Sequence, residues 1–403
     1  MKINIVDAGC GIGKTTALIN KINKDDSNQK YLFITPFLTE VDRIIKSCPT
    51  KNFIDPNDEN GSSSKYRNIM KLFEENQNIV TTHSLFKRFD NEILKIIKEK
   101  EYILIMDEVA EVIEELPISK SDLEILQEKY IYLNPRTHIV EWLDDKYSGK
   151  LEGYKKMIQM NSIFAYTNKY DNIVALIWMF PYKIFECFKQ VFILTYMFDG
   201  QIQKKYFDYF NTQYVKLYVK DFEITYTPQI YNYAEQKKLI NVCDIERLNL
   251  IGWDRTALSK NWFEINKKGM KINKLQNNVR SFFRSFANTD KILWTTFKEY
   301  KKDVKRKGFT KGFAPMNCRA TNDFSNTKAV VYVANRFFNP VIKNFFTFNN
   351  ISADKAFEDK FALSELIQFV YRSAIRNNKP ITVYIPSKRM RDLFLEWLKK
   401  PND

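Results

Sequence analysis

Lys2-Ile3-Asn4-Ile5-Val6-Asp7-Ala8-Gly9-Cys10-Gly11-Ile12-Gly13-Lys14-Thr15-Thr16-Ala17-Leu18-Ile19 is the stretch whose reading decides the fold. Residues 2–7 read as a short apolar strand, and the run from Thr16 onward reads as a helix. Between them, Ala8 to Thr15 fits [Ala/Gly]-x4-Gly-Lys-[Ser/Thr], a phosphate loop in its strand–loop–helix setting. Glycines let backbone N–H groups converge on phosphate oxygens at the positive end of the following helix. Gly9, Gly11, Gly13, Lys14, Thr15 and Thr16 are therefore the expected nucleotide-binding residues. Lys14 would reach the terminal phosphates and the Thr15 hydroxyl would ligate Mg²⁺, so ATP and Mg²⁺ are the expected cofactors.

A phosphate site needs a carboxylate to hold its metal. Tyr102-Ile103-Leu104-Ile105-Met106-Asp107-Glu108 supplies one at the end of an apolar run that reads as a central buried strand. Asp107 is expected to hold the Mg²⁺ through water, and Glu108 to orient and deprotonate the attacking water. Three further apolar strands end in hydroxyls: Tyr31 to Thr35-Pro36, Asn78 to Thr81-Thr82-His83, and Val191 to Thr195-Tyr196. Each places a hydroxyl at the carboxyl edge of one sheet, where ligands bind in open α/β folds.

The chain has 403 residues, enough for two or three domains, and is 44% hydrophobic and 15% aromatic. Its densest apolar run, Ile173–Phe180, is too short to span a bilayer. Met1-Lys2 leads straight into the first strand, so no signal peptide is expected and the cytoplasm is the expected compartment. Five scattered cysteines and two histidines assemble no metal-ligand spacing. The net charge of +15 is segregated: residues 1–200 carry 26 basic and 29 acidic side chains, residues 201–403 carry 37 and 19. A basic second half points to a polyanionic partner, nucleic acid.

With these elements in order, the chain resembles superfamily 2 (DEAD/DEAH-like) helicases of bacteriophages and mobile elements. The resemblance implies that Thr35, Thr81 and Thr82 touch the nucleic-acid backbone, and that Thr195 couples hydrolysis to strand movement. In the second half, Lys291 to Phe297 resembles a further family strand, with Thr295 at the nucleic acid. Asn317-Cys318-Arg319-Ala320-Thr321-Asn322 resembles a later motif and implies nucleic-acid contacts for Arg319, Thr321 and Asn322. Gln368, Arg372 and Arg376 recur at i, i+4 and i+8 of an apparent helical stretch and so share one face. They resemble the motif whose arginines reach the terminal phosphate across the cleft, which implies a catalytic role beside Lys14 and Glu108. Because the first strand begins at Lys2, no adenine-reading segment is legible upstream of the loop.

The expected architecture is α/β, two RecA-like P-loop domains in tandem, residues 1–212 and 213–403. A mainly helical insertion is expected over about residues 111–190, where an acidic stretch shows helical periodicity. The expected function is an ATP-dependent helicase or translocase acting in phage or mobile-element replication or recombination. DNA is favoured over RNA, replication or recombination proteins are candidate partners, and no membrane is involved. Two other readings stay open. One is a packaging ATPase of the terminase type; the other is a nucleotide-gated loader with little unwinding.

Overall fold

The computed structural model describes residues 2–57, 64–109, 111–135, 137–168, 170, 172–286, 291–316 and 324–402. Among them, a seven-stranded sheet runs in the order Glu223–Thr225, Tyr214–Lys220, Lys2–Asp7, Gln190–Thr195, Ile103–Asp107, Tyr31–Thr35, Ile79–Thr82. All neighbours are parallel except the first pair, an antiparallel hairpin. The central strands are near-continuous apolar runs because helices cover both faces. Ala17, Leu18, Ile22, Val41 and Ile44 pack on one face. Ile69, Phe73, Ile93, Ile97, Tyr206 and Phe207 pack on the other. The register sets Asp7 opposite Thr195, Leu194 opposite Asp107 and Thr35 opposite Thr82, so the strand ends singled out in the first half meet at one sheet edge.

The sheet corrects the expected boundary at residue 212. Tyr214–Lys220 pairs with the phosphate-loop strand, and Glu223–Thr225 pairs with it in turn, so the first unit continues to Thr225. The alternation of Tyr214–Lys220 left a half-buried strand that could have belonged to either unit.

The insertion is also not mainly helical. Ile113–Glu115, Ile173–Met179 and Ile163–Thr167 form an antiparallel sheet, and Ile131–Leu133 pairs with Val140–Trp142. Helices Lys120–Lys129 and Glu152–Gln159 close the small core of Leu123, Leu126, Ile158 and Leu176. β-Branched and aromatic side chains in Ile163–Thr167 and Ile173–Met179 fit a pleated surface better than a helix. The acidic stretch after Ser119, whose hydroxyl accepts from the Asp122 N–H, is helical as expected.

The second unit has a four-stranded parallel sheet in the order Ile240–Val242, Ile381–Tyr384, Ala329–Tyr332, Ile292–Thr295. Helices Met270–Phe286, Lys355–Val370 and Lys388–Lys399 supply its core with Phe282, Leu366 and Phe394. One segment of this unit leaves it. Phe338, Phe345, Phe346, Phe357 and Phe361 join the core of the first unit, and the Phe345 ring lies tilted 5.6 Å from that of Tyr209. Asn339 Nδ2 donates to Glu115 Oε2 of the insertion at 3.0 Å. No helix among the described residues is long and apolar enough to cross a membrane.

Candidate active site and interdomain cleft

Gly11 and Gly13 have φ of 85° and 89°, the left-handed backbone that the tight loop needs and that glycine adopts at no steric cost. Helix Lys14–Asn23 follows with no side-chain cap, which leaves its first N–H groups facing the loop. Lys14 Nζ donates to the carbonyls of Ala8 (2.7 Å) and Gly9 (3.1 Å) of its own loop.

Thr15 Oγ1 donates to Asp107, 3.2 Å from Oδ1 and 3.3 Å from Oδ2. Burial first, and then the neighbouring Glu108 carboxylate, raise the Asp107 carboxyl to about 7 against the lowering charges of Arg43 and Lys14. Glu108 has φ of 69°, costly for a residue with a Cβ. Its N–H is fixed to the Leu194 carbonyl at 2.9 Å, and its buried Oε2 has no hydrogen-bond partner among the described residues. A buried carboxylate oxygen without a donor is expensive and marks a place where a water or ligand fits.

From the second unit, Gln368, Tyr371, Arg372, Arg376 and Asn377 line the same cavity as Gly11 to Thr16, Asp107 and Glu108. Its volume of about 400 Å³ lies within the range of small-molecule sites. The shared helical face expected for Gln368, Arg372 and Arg376 does not exist. The helix ends at Val370, Ser373 Oγ donates to the Val370 carbonyl, and Arg376 sits on a separate short turn, Ala374–Asn377. The three side chains still reach one cavity. Arg372 is 5% exposed and donates to the carbonyls of Pro315 (3.2 Å) and Met316 (3.1 Å). Arg376 is exposed.

The cavity has members that sequence reasoning missed. Arg43 Nε donates to Glu40 Oε2 at 2.6 Å, and both line the wall near Asp107. In sequence they are an ordinary i, i+3 pair on a helix. Phe222 lines the cavity beside Gly13, and Tyr233 packs on Gly9. Neither lies in any recognisable motif.

The expected nucleic-acid contacts fare unevenly. Thr35, Thr81 and Thr295 are buried, so their hydroxyls do not face a ligand in this structure. Thr35 Oγ1 donates within the sheet edge, to the Phe37 carbonyl at 3.1 Å, because the Thr-Pro turn folds back over it. Thr82 does line an open groove of about 820 Å³ between the units, with Phe37, Ser84 and Arg88 facing Phe313 and Pro315. Arg319, Thr321 and Asn322 lie outside the described residues. Thr195 is buried between the phosphate-loop strand and the Asp107 strand, its hydroxyl without a partner among the described residues.

A parallel sheet with a glycine-rich loop at one strand end, a facing carboxylate pair and a second α/β unit across the cleft make up the fold and its candidate site. A solved XPD helicase matches at a TM-score of 0.52 over 99% of this chain and 94% of its own, at 11% identity. That is a likeness of fold alone. S. tokodaii Xpd4 matches at 0.47 over 98% and 94%, at 11% identity. The chain belongs to the YonV family: it is 38% identical to the SPbeta prophage-derived uncharacterized protein YonV of Bacillus subtilis (strain 168), over 99% of both chains. Residues 113–178 match the YonV middle domain, and residues 234–398 match the YonV C-terminal Rossmann-like domain.

Proposed function

We propose that this protein is an ATP-driven nucleic-acid translocase or helicase whose two α/β units work as a RecA-like pair. One observation carries the reading: Arg372 and Arg376 of the second unit line one cavity with the phosphate loop, Asp107 and Glu108 of the first. The residues fit ATP·Mg²⁺, because Thr15 and Asp107 already converge and the Glu108 Oε2 is unsatisfied beside them. Mg²⁺, when bound, would offset phosphate charge and invert the electrostatics that raise the Asp107 carboxyl. Lys14 would turn from its own carbonyls to the terminal phosphates. Glu108 would accept the proton of the attacking water, and Arg372 and Arg376 would stabilise the charge that grows on the transferred phosphoryl oxygens.

The groove lined by Thr82, Arg88 and Phe313 supports a nucleic-acid path on the other side of the sheet edge. The basic second half supplies the attraction. We infer DNA as the substrate and a phage replication or recombination step as the setting, in keeping with the prophage origin of the relative. The test is phosphate release and strand displacement with forked DNA and forked RNA. DNA-stimulated hydrolysis is expected, and Lys14→Ala should abolish it while the fold persists. Lys14→Ala hydrolysing at a tenth of the wild-type rate or more would refute the site.

A further inference from the structure

The hairpin after the phosphate-loop strand ends in a costly arrangement. Lys220 pairs with Glu223, so Asp221-Phe222 is a two-residue turn, and both residues have positive φ, 50° and 58°. Turns of this kind favour Asn-Gly or Gly-Gly. Here an aromatic side chain occupies the left-handed position and stays 55% exposed. Backbone strain and an exposed ring together ask what the ring is for.

Its position is held by the end of the phosphate-loop helix. Asn20 Nδ2, on the phosphate-loop helix, donates to the Phe222 carbonyl at 3.1 Å, and Lys24, which caps that helix, pairs with Glu223. The ring lies over the loop itself, since a Cβ on Gly13 would fall 2.6 Å from Phe222 Cδ1. The sheet order sets direction. The hairpin lies on one side of the Lys2–Asp7 strand, and the Asp107 strand lies on the other, beyond Gln190–Thr195. A triphosphate whose terminal group meets Asp107, Glu108 and Arg372 has its other end towards Phe222.

We propose that Phe222 is the base-stacking residue of this site, taking the base of a nucleoside triphosphate on its exposed face and favouring purines over pyrimidines. The inference rests on the nucleotide reading of the cavity. Stacking needs only a π face and grows with the size of the base, so it gives affinity for large bases without a hydrogen-bond code.

The test is equilibrium binding of ATP, CTP and inorganic tripolyphosphate to the full chain carrying Phe222→Ala, Phe222→Trp or Lys14→Ala. Wild type should bind ATP more tightly than CTP. Phe222→Ala should weaken ATP about tenfold, leave tripolyphosphate within about twofold, and narrow the ATP–CTP difference. Phe222→Trp should restore ATP binding. Unchanged ATP affinity in Phe222→Ala, or equal losses of ATP and tripolyphosphate, overturns the stacking role while leaving the phosphate site standing. Wild type that binds neither ligand, or Lys14→Ala that binds both normally, refutes the phosphate site and the stacking role with it.

Discussion

The Tyr233 hydroxyl occupies the space that a side chain on Gly9 would need: a Cβ there would fall 1.5 Å from Oη and 2.4 Å from Cζ. Gly9 is thus held to glycine by close approach, and the residue that approaches it opens the second unit. Gly9→Ala should destabilise the protein by about 1–3 kcal/mol, the usual cost of overpacking. Tyr233→Ala should recover part of that loss in the double variant, measured as the free energy of urea unfolding. Strictly additive losses would show that the clash is relieved elsewhere.

Glu108→Gln keeps the size of the side chain and removes its capacity to take a proton. Nucleotide binding should persist while turnover falls by about a hundredfold or more, the usual contribution of a positioned base. Single-turnover hydrolysis at the wild-type rate would put the base elsewhere.

Arg372 and Arg376 should separate by readout. Arg372→Lys keeps the charge but loses the fork that holds the Pro315 and Met316 carbonyls, so both urea midpoint and kcat should drop. Exposed Arg376→Ala should lower kcat with a smaller loss of midpoint than Arg372→Lys, because a contact that strengthens on developing charge appears in turnover. A kcat unaffected by either change would leave Arg372 as a brace for the Pro315–Met316 segment and nothing more.

Lys302, Lys305 and Lys307 are exposed near the end of the Lys301–Val304 helix, whereas Lys301 lies over the Phe313 ring at 4.3 Å. Glutamate at those three exposed positions should flatten the log–log salt dependence of single-stranded DNA binding by about 2, near 0.7 per lost phosphate contact. Basal hydrolysis, which depends on the cleft, should not change. An unaltered slope would mean that this patch does not face the strand.

The sites that could be read from sequence are those whose chemistry is local. Gly11, Gly13 and Lys14 announce a loop because their backbone demands are written in consecutive residues, and Asp107-Glu108 stands out as two charges ending an apolar run. Arg372 and Arg376 were found through a helical spacing that the chain does not adopt; their meeting depends on where the helix stops. Phe222, Tyr233 and the Glu40–Arg43 pair were hidden because each takes its place only through contacts distant in sequence. The strands of the insertion were missed for another reason. Three-residue segments such as Ile131–Leu133 and Val140–Trp142 are too short to display a period.

The phenylalanines of 338–361 that complete the first core have a consequence for synthesis. A growing chain that has emerged as far as Tyr233 holds the phosphate loop, the carboxylate pair and both outer strands. Yet the surface around Tyr209 lacks its cover until Phe345 and Phe346 arrive more than a hundred residues later. Domains generally fold in order as they leave the ribosome, but this amino-terminal half cannot be sealed on that schedule. For the same reason residues 234–398 expressed alone would present Phe345, Phe346, Phe357 and Phe361 to water and self-associate. The two halves of this protein are joined in folding as firmly as they are in the cleft.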